Sequence, residues 1–186
     1  MIRLCCFVLG MLAAQAWAWG HGDSLHYLLP TDSVITEVHP MGELLMTHRL
    51  QPKQTLFSLA KFYGLNLQEL YAYNPQISTH YEVGDELRIP IPLRAVIRKT
   101  PPAQLASELA KVYYRVRRGD TVYGLCNRTF HLTLDTLQLR NPELAAGLRP
   151  GQLLFIGWMS TTGIPEAWRE IRGGPYARMN YPLRLE

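Results

Sequence analysis

The sequence predicts an α+β protein: two small strand-helix-helix-strand units joined by a linker, with an N-terminal hairpin extension. Two observations predict this. First, the chain repeats itself, as "KQTLFSLAKFYGLNLQELYAYNP" from Lys53 to Pro75 and "GDTVYGLCNRTFHLTLDTLQLRNP" from Gly119 to Pro142. Thr55 and Thr121 lie 66 residues apart, whereas Leu70 and Leu137, Asn74 and Asn141, Gly84 and Gly151, and Ile89 and Ile156 lie 67 apart. One residue is therefore inserted in the second copy, near Thr129-Phe130-His131, and a fixed offset of this kind marks an internal repeat. Second, each copy passes from strand-like alternation to helical spacing and back. Two helices on one face of a two-stranded sheet are a minimal α+β unit.

The first residues read as a secretory signal peptide over 1–18. Arg3 is the positive start, Leu4 to Ala14 is an apolar run too short to span a bilayer, and Ala16-Trp17-Ala18 is a small-x-small cleavage site. Removal would take Cys5 and Cys6 with it and leave Cys126 as the lone cysteine, with no internal disulfide. Residues 19–46 form an extension, in which Ser33 to Val38 and Leu44 to Leu50 read as a hairpin around Pro40-Met41-Gly42.

The first unit spans 47–92. Thr47 to Leu50 is extended and Pro52 ends the run. Thr55 is an N-cap for a helix whose apolar face is Leu56, Leu59, Ala60 and Tyr63. Gly64 stops that helix because it adopts a left-handed backbone at little cost. Asn66 with Glu69 forms a capping box for a second helix carrying Leu67, Leu70 and Tyr71, which Pro75 ends. Val83-Gly84-Asp85 turns into a short strand at Leu87-Arg88-Ile89. Residues 93–112, with Pro101-Pro102, read as a linker. The second unit, 113–157, repeats the logic: a strand at Tyr114 to Arg117, a helix capped by Thr121, a helix capped by Thr133, and a strand at Leu153 to Ile156. The tail, 158–186, is rich in Gly, Pro and Arg, and "PEAWREI" offers one or two helical turns. Each unit alone would bury little apolar surface.

These residues resemble the lysin motif, or LysM, domain: strand, "GDT" plus an apolar residue, two helices, "NP", then "PGQ" and an apolar strand. "YRVRRGDTVYGLCNRTFHLTLDTLQLRNPELAAGLRPGQLLFI" matches over its whole length, and "HRLQPKQTLFSLAKFYGLNLQELYAYNPQISTHYEVGDELRIP" matches nearly as well. The wording is similar to secreted bacterial LysM proteins. The resemblance implies a βααβ fold that binds N-acetylglucosamine-containing glycan, chiefly peptidoglycan or chitin, in a groove between two loops. Carried over, the walls of the second groove are Gly119, Asp120, Thr121 and Val122, then Pro142, Glu143 and Leu144. Those of the first are Lys53, Gln54, Thr55 and Leu56, then Pro75, Gln76 and Ile77. Lys53-Gln54 replaces the usual Gly-Asp, and a lysine lacks glycine's backbone freedom. The second unit is therefore expected to bind better.

Each of these residues also has a purely structural reading. Thr55 and Thr121 serve as helix caps with or without a sugar contact. Asn74 and Asn141 are turn residues or ligand contacts, and Leu56 and Val122 belong to core or groove. Tyr63, Tyr71 and Tyr73 could stack on sugar rings or pack inside.

Composition narrows the function. With 47% apolar residues the chain is globular, and a net charge of +4 is too small for the dense basic stripe of a nucleic-acid binder. The residues outside the two copies are too few for a catalytic domain. Cys126 lies at an apolar helix position with no histidine fixed beside it, and the six histidines show no metal-ligand spacing. The expectation is a non-enzymatic, exported protein of the periplasm or cell envelope, with no cofactor, no metal and no transmembrane helix in the mature chain. Its partner is peptidoglycan or a related N-acetylglucosamine polymer. The alternative is an adaptor whose LysM units bind an envelope protein in place of sugar.

Overall fold

The computed structural model describes residues 26–39, 42–165 and 168. The signal peptide expected over 1–18 lies outside these residues, as does the tail beyond Trp168 with most of "PEAWREI".

The extension forms the hairpin β1 (Ser33–Val38) and β2 (Leu44–Arg49). Both alternate in burial: Val34 and Thr36 point inward from β1, and Leu44, Met46 and His48 from β2. Helices α1 (Leu56–Phe62) and α2 (Leu67–Tyr73) follow, then β3 (Glu86–Ile91). Both helices begin in capping boxes, Thr55 with Ser58 and Asn66 with Glu69. Seven residues are too few to be helical alone, so the helices depend on their packed faces. Leu59 and Leu70 are fully buried.

In the second copy β4 (Leu109–Arg115) leads to α3 (Val122–Gly124), which continues as a π-helical turn over Leu125–Phe130. α4 (Leu134–Arg140) and β5 (Leu153–Ser160) complete it. The π turn is where the extra residue resides. Leu59 and Ala60 correspond to Leu125 and Cys126 at the shorter offset, whereas Tyr63 corresponds to Phe130 at the longer one. A π turn absorbs one inserted residue without rotating the flanking side chains off the core. Leu125, Cys126 and Phe130 accordingly all stay buried. His131, at φ 51°, occupies the left-handed position that Gly64 fills, at φ 69°, in the first copy.

The two copies do not stand apart on a tether. They share one five-stranded sheet in the order β3-β2-β1-β4-β5. β1 is the joint, antiparallel to β2 and parallel to β4, with Val34 opposite Val112 and Ile35 opposite Tyr113. A single hydrophobic core runs through both copies, taking Leu59 and Leu70 from the first and Leu125 and Leu137 from the second. Pooling two small cores in this way answers the shortage of burial that each unit would face alone.

The span read as a linker is also docked. Ala95 and Val96 are buried, and β4 already begins at Leu109. Ile97 bridges β5, its N–H donating to Trp158 O at 2.7 Å and its carbonyl accepting from Trp158 N at 3.1 Å. Gly157 makes this approach possible, because a Cβ there would overlap the Ile97 carbonyl oxygen. Among the described residues, no helix is long and apolar enough to cross a membrane.

Candidate functional site

Both copies build their first loop with the same devices. In the first copy Gln54 N donates to Gln51 O at 3.1 Å, and Gln51 N donates to Gln54 Oε1 at 3.0 Å. In the second, Asp120 N donates to Arg117 O at 3.2 Å, and Arg117 N donates to Asp120 Oδ2 at 2.7 Å. The turn needs a positive φ at its third residue. Gly119 supplies 93° and Lys53 supplies 68°. Lys53 thus takes the left-handed conformation that Gly119 takes, at a cost of about 1–2 kcal/mol relative to glycine.

The residues after the turn divide into support and surface. Gln54 is buried, and its Oε1 also accepts from His48 Nε2 at 2.8 Å, while its Nε2 donates to His26 O at 3.3 Å. At the equivalent place the Tyr114 hydroxyl donates to Asp120 Oδ2 at 2.6 Å. Gln54 and Asp120 therefore hold the loop onto the strand before it. His48 Nδ1 meets the Tyr63 hydroxyl at 3.2 Å, and the rings of His48 and Tyr63 cross edge to face, as those of Tyr114 and Phe130 do in the second copy. Burial lowers the pKa of His48 and raises those of Tyr63 and Tyr114. Thr55 Oγ1 accepts from Ser58 N at 3.1 Å and Thr121 Oγ1 from Gly124 N at 3.0 Å, so both are working N-caps, and both remain exposed. Leu56 is buried and Val122 half-buried, placing the first in the core and the second at its margin.

The second loop of each copy opens with a 3-10 turn, Pro75–Ser78 and Pro142–Ala146. Pro75, Gln76, Pro142 and Glu143 are exposed, whereas Ile77 and Leu144 turn into the core. The residue before each proline is the anchor. Asn74 Nδ2 donates to Leu70 O at 2.9 Å and Arg88 O at 2.8 Å, and its Oδ1 accepts from Arg88 N at 2.6 Å. Asn141 reproduces this, donating to Leu137 O at 2.9 Å and Phe155 O at 3.0 Å and accepting from Phe155 N at 2.6 Å. The amide acts as a short piece of strand, pairing the end of a helix with an edge of the sheet. Of the two readings open for these asparagines, the structural one holds.

The candidate residues that remain exposed in the loops are mostly polar. They are Lys53, Thr55, Pro75 and Gln76 in the first copy, and Gly119, Thr121, Pro142 and Glu143 in the second. Such loops offer donors and acceptors suited to hydroxyl and amide groups. Of the tyrosines, Tyr63 is in the core, and the Tyr73 hydroxyl donates to Glu43 Oε2. Sequence reasoning overlooked one feature: Pro75 and Gln76 border a trough of about 1080 Å³ on the open face of the sheet. Arg88, Arg115 and Arg117 line it, and Glu37 pairs with Arg115 at 3.4 Å and Arg117 at 3.7 Å. The alternation in β3 and β4 was the available signal, but the parallel pairing that brings the two strands onto one sheet was not.

Cys126 is buried, and burial raises its thiol pKa, the opposite of what a nucleophile needs. No group of three or more His, Cys, Asp or Glu among the described residues is arranged to hold a metal ion.

The family model of the LysM domain matches residues 48–90 and 114–157. No curated protein matches the sequence. Among solved structures the chain is similar to the ectodomain of a receptor-like kinase, at 16% identity and TM-score 0.26 over 69% of this chain and 64% of that one. It is also similar to the spore cortex-lytic enzyme SleL of Bacillus megaterium QM B1551, at 16% and 0.25 over 67% and 23%. A third is the LYK3 ectodomain, at 15% and 0.23 over 64% and 57%. The chain spans less than two thirds of the length of each.

Proposed function

The chain carries two LysM domains, and we propose that it is a non-catalytic glycan-binding protein of the cell envelope whose polymer is peptidoglycan. LysM domains in general bind N-acetylglucosamine-containing glycans. The observation that carries the reading is the duplication of the loop pair: the same turn, cap and asparagine anchor recur on one sheet. A shallow loop site buries little ligand surface and binds weakly alone. Two such sites on one rigid sheet, facing a polymer of repeating sugars, gain through effective concentration. The exposed loop residues Lys53, Thr55, Pro75 and Gln76, and Gly119, Thr121, Pro142 and Glu143, are proposed to touch the sugar. Gln54, Asp120, Leu56, Ile77 and Leu144 shape the loops from behind, with Val122 between the two groups. The apolar leader in 1–18 supports export.

Sedimentation with purified peptidoglycan sacculi tests the reading. The protein is expected in the pellet at low and moderate salt, with no soluble muropeptides released. Sugar release by a clean preparation would end the non-catalytic assignment. Absence from the pellet would shift the reading to an adaptor that binds an envelope protein, with the arginine-lined trough as its first candidate surface.

A further inference from the structure

The trough on the open face of the sheet crosses from one copy to the other. Its lining takes Arg88 from β3, Leu45 from β2, Ile35 and Glu37 from β1, and Arg115 from β4. At one end stand Pro75 and Gln76, from the second loop of the first copy. At the other stands Arg117, which opens the turn that contains Gly119 in the second copy. The trough therefore links a proposed sugar loop of one copy to a proposed sugar loop of the other.

Its chemistry differs from that of the loops. Ile35 and Leu45 are half-buried and apolar, and three exposed arginines stand around them. Glu37 lies between two of these, at 3.4 Å from Arg115 and 3.7 Å from Arg117. Both separations exceed the ~2.7–2.9 Å of a charge-assisted hydrogen bond. The pairs therefore offset charge and leave guanidinium N–H groups able to donate. Arg88 has neither an ion pair nor a side-chain hydrogen bond among the described residues. The remaining acid, Glu86, lies opposite Arg49 at the end of the β2–β3 ladder. The arginines thus outnumber the acids, and one of those acids is already shared. A guanidinium matches a carboxylate with two parallel donors, which makes carboxylate the group this trough suits best.

We propose that the trough binds the acidic peptide branches of peptidoglycan, so that the chain holds glycan strands bearing peptides more tightly than bare strands. The proposal rests on the reading of the loops as glycan sites. Peptidoglycan is a sugar polymer with short peptide branches that carry several free carboxylates, and chitin has no such branches. A strand held at Gln76 sets its branches beside the trough. The spacing fits as well. β3 and β4 are separated by β2 and β1, and three strand spacings of ~4.8 Å make about 14 Å. An extended peptide of about four residues covers the same distance. One carboxylate lies toward Arg88 and another toward Arg115 and Arg117, with small apolar side chains over Ile35 and Leu45. A neutral sugar gains nothing from these arginines, and a basic peptide is repelled by them.

The experiment uses soluble peptidoglycan strands, freed by an endopeptidase that cuts the cross-links and leaves the peptides in place. Half of the same batch is then treated with an amidase that removes the peptides. The full chain is titrated with each by calorimetry. At low salt the peptide-bearing strands are expected to bind at least about tenfold more tightly, and the difference should shrink as salt is raised. Arg88→Gln with Arg115→Gln should remove the difference and leave the affinity for bare strands unchanged. Both side chains are exposed and lie on strands outside the loop turns. Equal binding of the two kinds of strand would overturn the proposal and leave the glycan reading standing. Binding of neither would overturn both. A double variant that keeps the whole preference would show that the peptides bind elsewhere, and the trough would lose its assignment.

Discussion

Replacing Asn141 by alanine tests the account of how each copy is closed. The side chain is 2% exposed and makes three hydrogen bonds, two donated and one accepted. Two of these satisfy the N–H and C=O of Phe155. A hydrogen bond contributes about 1 kcal/mol net, and a buried backbone group left without a partner costs about 1–3 kcal/mol. Alanine removes all three bonds and strands both Phe155 groups wherever water cannot reach them. The expected loss is therefore about 3–4 kcal/mol, a large part of the ~5–15 kcal/mol that typical domains possess. Urea unfolding followed by tryptophan fluorescence measures it, with Leu139→Ala, on an 83% exposed side chain, as the control expected to change stability by less than about 0.5 kcal/mol. Asn74→Ala removes the same three bonds from the first copy and should cost as much to within about 1 kcal/mol. A loss below about 1 kcal/mol at Asn141 would show that the asparagine is a turn residue whose bonds water replaces, and the reasoning would fail.

Four further outcomes are expected. Lys53→Gly should stabilise the protein by about 1 kcal/mol in the same unfolding assay, because it relieves a left-handed lysine, whereas Gly119→Lys should destabilise it by a similar amount. Gly119→Lys should also weaken chito-oligosaccharide binding more than Thr55→Ala does, since the second copy, which keeps Gly119-Asp120, is expected from its sequence to bind better; equal losses by calorimetry would contradict that ranking. Burial holds the pKa of His48 below its ordinary 6.5, so the unfolded chain takes up the proton first; stability should fall as pH drops through about 6.5, by up to about 1.4 kcal/mol per pH unit until the native imidazole titrates, and His48→Gln should flatten that slope. Gly157→Ala should cost about 1–3 kcal/mol by pushing Ile97 off β5, and hydrogen exchange at Trp158 N–H should report the lost bridge; unchanged protection would contradict the docking of this segment.

Features that depend on near neighbours were legible in the chain. The caps at Thr55, Asn66, Thr121 and Thr133 rest on a side chain reaching a backbone N–H three residues away, and the apolar faces rest on helical spacing. The repeat was readable because both copies need the same local chemistry at the same places. Even the one-residue insertion was visible as a change of offset, although its form, a π turn at Leu125–Phe130 ended by a left-handed His131, was not, since only the fixed positions of Cys126 and Phe130 against the core demand it. Features that depend on distant partners emerged only with the folded chain. Nothing local to Ser33–Val38 selects β4 as its parallel neighbour; that choice arises because two cores too small to stand alone become one when β1 bridges them. The same long-range packing turned Gln54 inward toward His48 and laid Ile97 against Gly157.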